Sequence, residues 1–372
     1  MQHFQHMVGE RIARARKDAR LTQEQLSERL GFKDRQIISY IESGRRKVSS
    51  EELIGLMQIF GKTLDFFTDP TLVVGDNIMS WRAQEGSSAI DPFESWALQL
   101  VGAHRQLTAQ LKEPISPLRL FLPLKGSSTF EAATAAAENL LRAWQIASAP
   151  APQLQPKIES ELHVLVVPVD APDYISGGAV NLPDGATIFL NRHHSRGRRH
   201  FTLAHELFHL LTWDTMPPDR FDFEATEKRS RVEKLADNFA AALLMPGELL
   251  TQQFQEWKKT TRLSQTLIAT EIPPKTWFKK VAEFFEVSVE ALKFRLINAK
   301  LLLADVFISF DLEIRENSTP CPAFGRTLLE RLNRAIERGL ISARKAATLL
   351  QTSLDDLADL MRFNRLEPSF SL

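Results

Sequence analysis

Phe201-Thr-Leu-Ala-His205-Glu206-Leu-Phe-His209-Leu-Leu-Thr-Trp213 decides how the chain is read. Its residues are apolar almost all the way round a helix, the composition of a buried one. His205, Glu206 and His209 nonetheless stand in its middle, and burying unpaired polar or charged groups is costly. Histidines four residues apart project from one helix face, one turn apart. Two imidazoles so placed can grip one metal ion, with Glu206 beside it to handle protons. The stretch predicts a zinc hydrolase helix.

Zinc in a hydrolase usually takes three protein ligands and a water. The longer, all-histidine pattern places its third ligand at the position of Thr215, and a glycine at that of Thr212, so it fails here. A carboxylate further along is the other solution. Val232-Glu233-Lys-Leu-Ala-Asp237-Asn-Phe-Ala-Ala-Ala-Leu-Leu-Met245 predicts a core-facing helix with the stripe Val232, Leu235, Ala236, Phe239, Ala240 and Leu243. Glu233 and Asp237 flank that stripe one turn apart. Alone, this helix would read as one carrying two solvated acids. Beside the upstream motif, Glu233 is expected to be the third ligand. Asp237 is then expected to orient a ligand histidine through its other ring nitrogen.

The 372 residues suggest two or three domains. Zero net charge means that any preference for nucleic acid or membrane must be local. Cys321 is the single cysteine, which excludes an intramolecular disulfide and leaves His and carboxylates to hold a metal. No apolar run approaches the roughly 18 residues of a spanning helix. The N-terminus lacks the apolar core of a signal peptide, so a cytoplasmic protein without a membrane partner is expected.

Residues 8–68 predict a compact helical domain. Val8, Ile12 and Ala15 share one helix face. Thr22 with Gln25 forms a capping box for a short helix over 23–30, stopped at Gly31. A second short helix follows over 34–43 and ends at Gly44, giving a helix-turn-helix. Leu53, Leu56, Met57, Phe60, Leu64 and Phe67 mark two more helices that close the core. Between residues 11 and 47 stand eleven Lys/Arg against five acids, a local surplus able to neutralise phosphates. Base reading would fall to the start of the second helix, where Lys33, Asp34, Arg35, Gln36, Ser39 and Tyr40 are candidates. A solvated bundle that binds protein is the competing reading. Arg11-Ile-Ala-Arg-Ala-Arg-Lys, Leu21-Thr-Gln-Glu-Gln-Leu, Leu30-Gly-Phe and Ile37-Ile-Ser-Tyr-Ile-Glu-Ser-Gly-Arg-Arg46 resemble the Xre/Cro/phage-repressor helix-turn-helix family. The resemblance implies contacts to a double-stranded DNA operator from Gln23, Arg35, Gln36, Ser39 and Tyr40.

The remainder divides by its periodicity. Residues 96–111 and 130–146 predict helices, and 147–156, rich in proline, an extended connector. A β-branched run over 162–169 and two runs flanking Pro183-Asp184-Gly185 predict a small antiparallel sheet with a hairpin. Residues 192–200, basic and rich in histidine, read as a solvated or substrate-facing loop. Helices return over 273–303 and 324–361, with a short strand over 305–310. The last two helices have the rhythm of a helix-turn-helix without a basic second helix, and are read as packing or dimerisation elements. The expected fold is α+β and mostly helical: a helix-turn-helix bundle (1–70), a helical connector (71–157), a zincin-like domain (158–303) and a helical C-terminal region (304–372).

The order His-Glu-x-x-His, then Glu-x-x-x-Asp on a second helix, is similar to the thermolysin-like zinc peptidases. Phe201-Thr-Leu-Ala-His-Glu-Leu-Phe-His, Glu233-x-x-Ala-Asp-x-Phe-Ala and Leu-Leu-Met-Pro246 resemble the ImmA/IrrE metallopeptidases more closely, over about 155–300. Phe208 departs from that family, which commonly has glycine there, and its ring is expected to narrow the space over the metal. The reading implies Zn2+ on His205, His209 and Glu233 with Glu206 as catalytic base. The second electrophile is unassigned, with His200 as a candidate, and a substrate strand would add to the sheet edge. The resemblance also implies cleavage of a repressor-like regulator, or of the chain itself, in a stress, mobile-element or toxin–antitoxin circuit. A homodimer on two half-sites is expected, with a toxin as a further candidate partner. The competing reading is a non-proteolytic transcription factor or antitoxin whose peptidase-like domain binds zinc or senses a ligand.

Overall fold

The computed structural model describes residues 2–32, 34, 36–69, 78–83, 90–113, 117–223, 230–260, 273–302 and 320–371. Lys33, Arg35 and the strand expected over 305–310 lie outside the described residues. The chain divides into two compact units. One comprises Met1–Gly75, Asp91–Glu113 and Leu349–Gln351, and the other the remaining residues.

The first unit holds α1 (Gln2–Asp18), α2 (Gln23–Arg29), α3 (Gln36–Glu42), α4 (Ser50–Phe60), α5 (Leu64–Thr68) and α6 (Ile90–Gln110). Thr22 and Gln25 close a capping box on α2, and Ser49 with Glu52 closes another on α4. Each box satisfies two amides that a helix start would leave unpaired. Gly31, at φ +73°, supplies the left-handed residue that turns the chain between α2 and α3. Val8, Ile12, Ala15, Leu26, Ile38, Ile41, Leu56 and Phe67 form the core. Leu64, expected inside, is exposed.

The second unit is built on β1 (Met79–Ala83), β2 (Leu165–Val169), β3 (Ile175–Leu182), β4 (Gly185–Asn191) and β5 (Phe221–Phe223). Its helices are α7 (Phe130–Ala143), α8 (Ala151–Glu161), α9 (Arg196–Thr212), α10 (Arg231–Leu244), α11 (Gly247–Thr260), α12 (Lys275–Phe285), α13 (Val289–Asn298), α14 (Gly325–Glu337), α15 (Ala343–Leu349) and α16 (Leu354–Phe363). The strand order is β2-β4-β3-β1-β5. The sheet is mixed rather than purely antiparallel. The Pro183-Asp184 turn makes β3 and β4 antiparallel, whereas β2 joins β4, and β5 joins β1, in parallel. A tight turn dictates the direction of the strands it joins, but apolar patterning does not say which neighbour a strand finds.

Three expectations are corrected. Residues 147–156 are not extended throughout, because α8 begins at Ala151. Pro150 and Pro152 fall at its start, where no amide is needed, and Pro156 inside it is tolerated because Leu154 and Ile158 are fully buried. The loop over 192–200 is shorter than expected: Ser195 caps Arg198 and α9 starts at Arg196. Finally, β1 is a strand inside the stretch read as a helical connector. It pairs antiparallel with β3, opposite Val180 to Ile175.

Candidate metal centre

Helix α9 lies against β3 and β4 on one side and α10 on another, and Thr202 to Thr212 are all buried. Two consecutive glycines on β3 permit this. A Cβ on Gly177 would stand 2.6 Å from Thr202 Cγ2, and one on Gly178 would stand 2.3 Å from the Trp81 ring. One glycine admits the helix and the other admits Trp81 on the opposite face. Arg82 pairs with Gly177, and residues paired across strands share a face, so Arg82 points to the α9 side.

The buried polar residues of α9 meet α10. His205 Nε2 is 3.0 Å and His209 Nε2 3.3 Å from Glu233 Oε2, and the two Nε2 atoms are 3.1 Å apart. Donors about 2.0–2.1 Å from a tetrahedral zinc ion would be roughly 3.3 Å from one another, so the trio has the size of such a site. Two imidazoles and a carboxylate are also the donor chemistry zinc takes, and the three form a cluster able to hold a metal ion. Asp237 Oδ1 lies 3.0 Å from His205 Nδ1, as expected for a carboxylate that sets the ring's orientation. Thr215 donates back to the Thr212 carbonyl and Thr212 to that of Phe208, so both finish the helix.

Electrostatics within the trio follow from burial and proximity. Burial and the charge of Arg82 push His205 down. Hydrogen bonds with Asp237 and Glu233 outweigh them and carry it from the ordinary 6.5 up to about 9. Burial likewise favours a neutral Glu233, yet His209 and the hydrogen bonds of both rings hold its carboxyl well below the usual range. Glu206 is 1% exposed, and its Oε2 has no hydrogen-bond partner among the described residues. Its burial raises its pKa.

One expectation about the surroundings changes. Phe208 does not lie over the cluster. It is fully buried in the core, packed on Phe239 of α10 at 5.5 Å between centroids and edge-on to the His209 ring. His200, the candidate for the oxyanion, has its Nδ1 3.2 Å from the Glu286 carbonyl oxygen. Arg82 is the residue that sequence reading passed over. Its strand, Met-Ser-Trp-Arg-Ala, alternates apolar and polar residues over only five positions, too short a run to stand out, and all five are buried.

In the first unit Gln36, Ser39 and Tyr40 are exposed on α3. Asp34 accepts from the Gln36 amide at the start of α3, a contact within the turn. Gln23 is half-buried and donates to Glu42, which also pairs with Arg16. Arg11, Arg14 and Arg46 are engaged as well, through the Phe66 carbonyl, Asp18 and Glu52. Part of the basic surplus therefore braces the bundle.

Among the described residues no helix is long and apolar enough to cross a membrane. No curated protein matches the chain. Residues 12–67 match the family model described as helix-turn-helix, and residues 160–297 match that of the IrrE N-terminal-like domain, so the chain fuses the two kinds of module that its motifs resemble.

Proposed function

We propose that the chain is a DNA-binding transcriptional regulator whose second module is a zinc-dependent endopeptidase. The observation that carries this is the convergence of His205, His209 and Glu233, with buried Glu206 between the two histidines in sequence. A zinc ion held by the trio would polarise a peptide carbonyl and lower the pKa of the attacking water. Glu206 takes the proton of that water and returns it to the amine that leaves as the C–N bond breaks. Burial makes its carboxylate a stronger base than an exposed one. Asp237 keeps the His205 ring oriented so that Nε2 faces the trio. The substrate class is a repressor-like regulator or a second copy of this chain, in a stress, mobile-element or toxin–antitoxin circuit. A cytoplasmic homodimer on an operator with two half-sites accords with the helix-turn-helix module.

Glu206→Gln separates hydrolysis from metal holding. With equal zinc content, the variant is expected to cut candidate repressors about 10²–10⁴-fold more slowly than wild type. Cleavage by wild type should stop on chelation. If neither protein cuts anything that a chelator protects, the endopeptidase reading fails and the zinc-holding regulator takes its place.

The DNA module has its own test. Gln36→Ala, which removes an exposed side chain suited to adenine, is expected to weaken operator binding by about 1–3 kcal/mol. Zinc content and non-specific binding should stay unchanged, and adding Arg35→Ala should deepen the loss. Undiminished operator binding by the double variant would place the contact surface elsewhere.

A further inference from the structure

The metal cluster receives a residue from outside the region that resembles the peptidase domain, which begins at residue 160. Arg82 of β1 is 8% exposed, and a guanidinium that deeply buried needs a counter-charge. Its Nη2 is 3.8 Å from Asp237 Oδ1, the same oxygen that lies 3.0 Å from His205 Nδ1. One carboxylate oxygen thus serves both the cation and the imidazole. The guanidinium carbon lies 5.6 Å from the centre of the Phe201 ring, one helical turn before His205. The Arg82 backbone is held between Gly177 of β3 and Asp222 of β5. Gly177 is also where Thr202 of α9 meets the sheet, so Arg82 and the metal-site helix are fixed to one point.

A cation so near a metal site weakens metal binding by direct repulsion. Its benefit must come through a third group, and the geometry offers one. Asp237 is 29% exposed, leaving its carboxylate room to turn toward solvent. A fixed charge beside it selects the rotamer in which Oδ1 faces His205. We propose that Arg82 is a positioning residue of the metal centre, acting through Asp237 to hold His205 Nε2 toward the metal. This rests on the metal-centre reading above.

The test uses the full chain with Co2+ alone as the probe, following affinity by chelator competition and ligand geometry by visible absorption. Arg82→Gln is expected to bind Co2+ about tenfold more weakly and to shift the bands as Asp237→Asn does. Added to Asp237→Asn, it should cause no further loss, because both act on one contact. Arg82→Lys, which keeps the charge, should restore the wild-type spectrum. Unchanged or tighter binding by Arg82→Gln, or a loss that adds in full to that of Asp237→Asn, overturns the proposal. Should Arg82→Gln fail to fold, Arg82→Lys decides: the wild-type spectrum supports the role and the Asp237→Asn spectrum overturns it. Wild-type protein that takes up no Co2+ overturns the metal-centre reading, and this inference with it.

Discussion

His209→Ala is expected to lose zinc at concentrations that saturate the wild type. A site worth roughly 10–16 kcal/mol shared by four ligands gives about 3 kcal/mol to each, and 1.4 kcal/mol is about tenfold. The affinity should therefore fall by at least about a hundredfold, measured by competition with a chelating dye. Loading of the wild type should also depend on pH, with a sign fixed by His205. Its metal-free ring holds a proton up to about pH 9, and that proton competes with the ion. Zinc binding should release protons and tighten by up to about tenfold per unit as pH rises from neutrality toward 9. Stability of the chelated protein runs the other way. A raised imidazole pKa stabilises fully below the ordinary 6.5 and is lost as pH climbs through about 9. The lowered Glu233 pKa stabilises above the ordinary 4.5 and is lost in acid. Chelated protein should thus melt at a lower temperature at pH 9 than at pH 6. Zinc affinity indifferent to pH, and to the loss of His209, would remove the trio as the metal site.

Phe208→Gly is expected to be among the most destabilising single changes in the second unit, although glycine is the residue that resemblance to the metallopeptidases calls for. The ring is fully buried against Phe239 where α9 meets α10. Deleting a buried phenyl group costs about 3–5 kcal/mol through lost transfer energy and the cavity left behind. Glycine within a helix adds about 1 kcal/mol relative to alanine. Together these approach the whole stability of many domains, about 5–15 kcal/mol. At roughly 2–4 °C per kcal/mol for a domain this large, melting should drop by on the order of 10–20 °C, as followed by calorimetry on zinc-loaded protein. A variant that melts like wild type and cleaves faster would mean that the ring does crowd the metal.

The helix of His205, Glu206 and His209 was legible because its physics is contradictory: polar residues inside an apolar helix demand a partner, and the two histidines find one in Glu233. Glu233 and Asp237 stood out only beside the upstream motif; helical spacing put them on one face, but alone they would pass for two solvated acids. The capping box of α2 was equally plain, being local, whereas the same Ser49/Glu52 pattern before α4 went unread. What escaped was non-local or disguised. The residues of β1 alternate apolar and polar over five positions only, too few to mark a strand, and nothing in them names β3 as a partner. The prolines before α8 read as linker although the first turn of a helix needs no amide. Phe208 was judged by its neighbours in sequence, yet the helix turns it about 100° away from His209 and into the core.

The place of β1 in the sheet has a practical consequence for dividing the chain. A fragment cut to the family-matched region, 160–297, would lack the strand between β3 and β5. The backbone groups of β3 would become an open edge, a template on which another molecule could add a strand. Such a fragment is exposed to aggregation whatever the state of its metal trio, and an inactive excised domain would say little about the catalytic power of the whole.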